Sequence, residues 1–280
     1  MTSGGPPPVH RRQASVVSWR AIGLALLSTV VVFGALVLVV VNAPGWPEVQ
    51  QEFFNWPIFW ASLPGIVAAF WKNIQLFLLA ELLVLPFGLL LAVMRGLPGP
   101  AFFPLRVLST IYVDIFRALP GLLVIYVLGF GVPGLGLPGV PTDRFFWAVI
   151  ALTLIYSAYV SEVYRAGIES VHPSQDAAAR SLGLSQFQSL RHVVVPQAIR
   201  RVIPPLLNDF IGLQKDTVLV SIVGVVEIFR TAQIKQQATF NYTPYLGVAL
   251  VFIVVTIPLA RFTDWLVARD KRRASAGVAR

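Results

Sequence analysis

The residues with scope for chemistry are the charged and polar groups that interrupt apolar runs. Glu81 lies in LFLLAELLVLPFGLL, with no other charge within a helical turn. A lone carboxylate at that depth is costly in lipid, so it faces protein or water. It lines a solute path or makes an interhelical hydrogen bond. Asp114 and Arg117 are three residues apart, which allows a pair on one helix face; Arg261 and Asp264 have the same spacing near a span end. Asn208, Asp209, Lys215, Asp216 and Thr217 form a polar stretch in a weakly apolar segment, and Glu162 and Glu227 lie at the ends of others. Polar stripes in membrane helices face cavities. The mixture of signs suits a ligand that carries both an ammonium and a carboxylate, without selecting one.

Other chemistries find no footing. Cysteine is absent, which removes disulfides and thiolates. His10, His172 and His192 stand apart from any second ligand at metal spacing, so no metal site is expected. There is no G-x-x-x-x-G-K-[ST] run to cradle nucleotide phosphates, and no nucleophile elbow. The reading is a chain without catalytic residues or cofactor. Any ATP it uses must be hydrolysed by another polypeptide. The net charge of +9 does not point to nucleic acid, because Lys and Arg gather beside apolar runs.

Those runs set the architecture. The 280 residues are 56% hydrophobic and 12% charged, against about 25% charged in a soluble domain. Lipid is therefore the expected solvent, and the fold class is an all-α polytopic membrane protein. Spans of roughly 20 apolar residues are expected at 22–41, 71–94, 107–130, 145–163, 205–228 and 245–267. Residues 1–20 read as a disordered basic cytoplasmic tail. Residues 21–69 read as an accessory helix followed by an external loop rich in tryptophan (Trp46, Trp56, Trp60). Residues 131–144, GVPGLGLPGVPTDR, are Gly/Pro punctuation that ends the third span. The 22–41 run is longer than a signal-peptide core and reads as a retained anchor.

Charge gives the orientation. With the N-terminus inside, fifteen of the 22 Lys and Arg fall in the N-tail, the 95–106 turn, the loop after span four and the C-tail. Lys72, Arg144, Arg230 and Lys235 fall on the other side. This follows the positive-inside rule and makes both termini cytoplasmic in a multi-pass protein of the cell membrane.

The longest polar interruption runs from Glu162 to Asn208 and reads as two short helices with a tight turn. Pro173 opens the first, since its missing N–H would be unpaired there. Ala177, Ala178 and Ala179 extend it, and Gly183 takes the left-handed position at its end. Ser185 and Gln188 have capping-box spacing for the second helix, which Pro196 is expected to stop.

This pattern resembles the "EAA…G…I-x-LP" loop in the membrane subunits of bacterial ABC importers, in their polar-amino-acid (histidine/glutamate/glutamine/arginine) branch. Tyr159, Glu162, Arg165 and Gly167 precede the loop as in that branch. Gln175 stands before the alanines, and Pro196-Gln197-Ala198 with Arg200 follow. Farther on, Pro204, Asn208, Lys215, Asp216, Thr217 and Leu219 match. Upstream, Tyr112-Val113-Asp114-Ile115-Phe116-Arg117 and Pro120 resemble its Tyr-Val-Glu-Leu-Phe-Arg-Gly-Thr-Pro segment. The likeness covers roughly 70–265. Two departures stand out: Ala177 replaces the glutamate that names the loop, with Asp176 one position earlier, and Ala118-Leu119 replaces Gly-Thr.

The resemblance implies a five-helix permease core with an added N-terminal helix. It implies a transmembrane permease domain at 70–268 with a cytoplasmic coupling loop at about 164–204, and a basic cytoplasmic tail at 269–280. Gln175, Asp176, Ala177, Ala178, Gly183, Ser185 and Pro196 would form the coupling loop. Glu81, Asp114, Arg117, Glu162, Asn208, Lys215, Asp216 and Thr217 are the candidates for the substrate path. The implied partners are ATPase (nucleotide-binding) subunits docking on 172–200, a second permease subunit, identical or homologous, an extracytoplasmic binding protein and membrane lipid. The implied activity is ATP-driven import of a polar amino acid by alternating access. A secondary transporter driven by an ion gradient also accommodates intramembrane carboxylates but leaves the two-helix loop without a purpose. A non-transporting membrane scaffold is the third reading.

Overall fold

The computed structural model describes residues 19–278, with the side chains of Ala21 and of residues 270–278 left out. Of the expected tail at 1–20, residues 1–18 lie outside the described residues, and Trp19 and Arg20 begin the first helix. The chain divides into two units, 1–51 and 52–280.

The first unit carries α1 (Trp19–Val41) and most of α2 (Trp46–Phe53). The 23 residues of α1 give a length of about 35 Å, enough to cross the hydrocarbon core. Pro47 near the start of α2 and Glu48 in its first turn suit a helix N-terminus.

The second unit is built on α3 (Trp56–Gly96) and α7 (Arg144–Glu169). Asn55 caps α3 by accepting from the Ile58 N–H at 3.3 Å. The 41-residue length corrects the expectation that 56–69 is loop. The tryptophans and prolines that suggested a loop are accommodated in a helix: Pro57 falls in the first turn, where no N–H is needed, and Pro64 lies within a segment whose buried face is Phe59, Ser62, Ile66 and Phe70.

The remaining elements pack around this pair. They are α4 (Phe103–Ala118), α5 (Gly121–Tyr126), a π-helical turn Val127–Gly131, α6 (Val132–Gly134), α8 (Pro173–Ser181), α9 (Gln186–Ser189), a second π-helical turn Leu190–Val194, α10 (Val195–Asp216), a 3-10 stretch Thr217–Val223, α11 (Ile228–Thr239) and α12 (Thr243–Val278). The described elements are all helical. Among the described residues four helices are long and apolar enough to span a membrane, or up to six if each of two bent pairs is one span. The first pair, Pro100–Ala118 with Gly121–Gly134, turns by 102°. Pro120 sits at the bend, with no N–H to continue the ladder and a restricted residue before it. The second, Gln186–Val223 with Ile228–Thr239, turns by 47°. The 131–144 segment does not end the third span at once, because the π-helical turn carries the helix through to Gly134. The last helix runs on through the expected tail to Val278.

Lipid-exposed helices gain nothing by hiding apolar groups from lipid, so their association relies on close packing. The main core joins Leu76, Ala80 and Val84 of α3 to Ala148, Leu152 and Val160 of α7 and to Leu213 of α10. A second cluster joins Ile66 and Phe70 to Ile228, Ala232 and Val248. Gly167 allows α7 and α10 to meet: a Cβ there would lie 2.0 Å from Cγ1 of Val202.

Candidate functional site

The knuckle between α7 and α10 is built from local rules. His172 caps α8, its Nδ1 accepting from the Ser174 N–H at 3.2 Å, and Pro173 occupies the first turn. At the far end, the Leu184 N–H donates to the Ala179 carbonyl (3.3 Å) and the Gly183 N–H to the Arg180 carbonyl (3.0 Å). This is a Schellman closure, which needs a left-handed residue; Gly183 has φ of 89°. Ser185 then forms a full capping box with Gln188, at 2.9 and 3.3 Å. The two helices are tied together by Ser189, whose buried hydroxyl donates to Asp176 at 2.6 Å. Asp176 is thus turned inward, while Ala177 and Ala178 are exposed.

Two features of this element were not legible beforehand. Pro196 does not stop the second helix. A π-helical turn at Leu190–Val194 carries the chain directly into α10, where Pro196 takes the first turn and its missing N–H costs nothing. Leu182 and Phe187 project at the tip, 85% and 68% exposed, so this polar element carries an apolar end. The knuckle is braced from behind: the Arg201 guanidinium donates to the Ser170 carbonyl, and Gln197 reaches Gln175 at 3.5 Å.

At the root of the knuckle, Glu162 is the centre of an arginine cluster. Its carboxylate accepts from Arg95 of α3 and from Arg165 at 2.8 Å, with Arg117 of α4 at 3.9 Å. Arg165 also pairs with Glu169 at 2.7 Å. The expected Asp114–Arg117 pair is therefore replaced: Arg117 turns to Glu162 across the helix boundary, and Asp114 is exposed with no ion-pair partner among the described residues. Arg261 and Asp264 likewise form no ion pair within 4.0 Å among the described residues.

Deeper in the bundle, the polar residues of α10 form two stripes. Asn208 and Lys215, two turns apart, are exposed on one face. Asp209 and Asp216, also two turns apart, face the bundle. Asp216 accepts from the Tyr156 hydroxyl at 2.8 Å. Asp209 has a buried Oδ2 without a hydrogen-bond partner. Glu81, read as isolated, has Asp209 of α10 and Tyr164 of α7 in its neighbourhood. The long-range pairing of α3 with α10 brings these groups together, and no local spacing reveals it.

Thr217 sits elsewhere, in a buried knot. Asn73 of α3 uses both amide N–H groups, donating to Thr217 Oγ1 at 3.1 Å and to Glu227 Oε2 at 2.9 Å. Its carbonyl accepts from the Ile228 N–H at 3.1 Å. Glu227 caps α11, accepting from Phe229 and Arg230 N–H groups at 3.0 and 2.7 Å. Asn73 was overlooked because the span was expected to begin only two residues earlier. Its signal was an amide facing an apolar run.

Among the described residues no cluster of three or more His, Cys, Asp or Glu side chains could hold a metal ion. Residues 84–272 match the family described as "Binding-protein-dependent transport system inner membrane component". The chain belongs to this family. It is a multi-pass inner-membrane transport component. It is 39% identical over 183 residues to "Probable glutamine ABC transporter permease protein GlnM" of Bacillus subtilis, covering 65% of this chain and 82% of that one. It is 35% identical over 212 residues to "Glutamate transport system permease protein GluC" of Corynebacterium glutamicum, covering 71% and 92%. A solved structure titled "Crystal structure of an amino acid ABC transporter with histidines" superposes with a TM-score of 0.65 at 31% identity, covering 76% of this chain and 94% of that chain. The expected fold class, an all-α importer permease with up to six spans, stands.

Proposed function

We propose that this permease component moves a polar amino acid inward by alternating access, driven by a separate ATPase that docks on the knuckle at 172–200. The observation that carries the reading is the knuckle itself. A Schellman closure, a capping box and the Asp176–Ser189 bond give a short element of defined shape with an apolar tip at Leu182 and Phe187. Such a tip suits insertion into a groove on another protein. Behind it, Glu162 links the knuckle's root on α7 to Arg95 of α3, and Arg201 links α10 to the turn after α7. A push on the tip is thereby passed to three long helices instead of being absorbed in a loop.

The substrate class is supported by the relatives' names and by the two faces of α10. Lys215 offers a cation on the exposed face, while Asp209, Asp216 and Glu81 gather anionic groups beside it. A zwitterion can meet both signs within one passage. A second permease copy or homologue would cover the exposed face of α10, and an extracytoplasmic binding protein would deliver the solute. The termini and knuckle would lie in the cytoplasm, as the distribution of Lys and Arg implies.

The decisive experiment is Gly183→Val in the assembled transporter, reconstituted in vesicles with its binding protein and ATPase subunits. A β-branched residue at φ of 89° is strained by about 1–3 kcal/mol and deforms the turn. The variant inserts, but ATP-driven uptake falls far more than ATP hydrolysis. Uptake at the parental rate overturns the lever, and uptake driven by an ion gradient without ATP overturns the whole reading.

A further inference from the structure

At the end of the bundle from which the knuckle emerges, the last turns of α3 and α7 and the start of α4 enclose a cleft of about 490 Å³. Its charged lining is Arg95, Arg106, Arg165 and Glu169, an excess of positive charge. Arg95 and Arg165 are partly engaged by Glu162 and Glu169. Arg106 differs. Its Nη1 donates to the carbonyls of Leu97 and Gly99, at 2.8 and 2.6 Å, and it has no carboxylate within 4.0 Å among the described residues. Neutral carbonyls orient the guanidinium without cancelling its charge, and they leave Nη2 and Nε unspent. The Phe103 ring, 5.8 Å away, supports its face.

The cleft continues into an apolar track. Phe103, Val107 and Ile111 follow at intervals of four residues on one face of α4, so they stack in a row. All three are exposed, Phe103 and Ile111 by more than half. A row of this kind, running from an arginine cleft along the first half of a bent apolar helix pair, has the polarity of a phospholipid: anion at the water boundary, acyl chain along the helix. Inorganic phosphate or a soluble anion would have no use for the track.

We propose that this cleft is a binding site for an anionic phospholipid. Its phosphodiester takes the free donors of Arg106 in the positive field of Arg95 and Arg165, and one acyl chain lies along Phe103, Val107 and Ile111. Basic pockets between helices at the membrane boundary recognise headgroups in this way. The site sits against Arg95, Arg165 and Glu169 at the root of the knuckle, so its occupancy stiffens the junction of α3, α4 and α7.

The test uses the full chain in phosphatidylcholine nanodiscs with a trace of phosphatidylglycerol that carries a photoactivatable diazirine in its acyl chain. Crosslinks are mapped by mass spectrometry. They are expected to concentrate on residues 103–111 and to be competed by unlabelled phosphatidylglycerol, but not by millimolar inorganic phosphate. Arg106→Gln lowers the labelling about fivefold, the effect of one arginine near a charged headgroup. Because Arg106 also holds two backbone carbonyls, Thr110→Glu is the second variant. It places a negative charge in the cleft, leaves those bonds intact, and lowers the labelling at least as much. Labelling spread evenly over α4 and α12, or unchanged in both variants, overturns the proposal. So does efficient disulfide formation between two copies carrying Val107→Cys, since the track would then belong to a subunit interface.

Discussion

Replacing Asn73 with leucine removes three hydrogen bonds from a site that is 2% exposed, while nearly preserving side-chain volume. The bond to Glu227 is charge-assisted and contributes about 1.5–3 kcal/mol; those to Thr217 and from Ile228 contribute about 1 kcal/mol each. The expected loss is about 4 kcal/mol, increased by the orphaned Ile228 N–H and lessened by the two backbone donors that Glu227 keeps. At roughly 2–4 °C per kcal/mol for a chain of this size, the apparent Tm falls by about 8–16 °C. Intrinsic tryptophan fluorescence of the purified protein in detergent measures it. Thr217→Val removes only one neutral partner of Asn73 and the bond to the Gln214 carbonyl, so its shift is about 4–8 °C. On the Asn73→Leu background, the same change costs less, because part of what it removes is already gone. Equal shifts for the two single variants, or strict additivity in the double, would refute the knot as the fastening of α3 to both sides of the 47° bend.

Other substitutions probe the remaining sites. Glu162→Ala leaves Arg95 and Arg165 without their shared carboxylate; with Arg95 and Glu162 only 16% and 18% exposed, the loss is about 2–3 kcal/mol, read as a lower Tm and faster proteolysis near residue 170. A protease pattern matching the parent would deny it a bracing role. Leu182→Asp and Phe187→Asp weaken capture of the ATPase subunit more than about tenfold while the permease still inserts; undiminished co-purification would move the docking surface elsewhere. Glu81→Gln removes the carboxylate that faces Asp209 and alters either the uptake rate or the preference among amino acids; unchanged transport with unchanged preference excludes Glu81 from the path.

What the amino-acid order decides on its own is whatever depends on near neighbours. Apolar runs of membrane length, the side on which Lys and Arg gather, Gly183 at a left-handed turn and the Ser185–Gln188 box all arise within a few residues, so the spans and the knuckle could be read directly. Tertiary structure decides where partners lie far apart in the chain. Arg117 prefers Glu162 to Asp114, Glu81 meets Asp209, and Asn73 reaches Thr217 and Glu227, because packing α3 against α7 and α10 brings separate faces together. It also decides where helices stop. Pro196 and Pro57 look like breaks in the sequence, yet each falls in the first turn of a helix, where no N–H is needed, and Pro64 is carried inside α3. A helix boundary in lipid follows from whether backbone groups find partners, and that depends on the whole bundle.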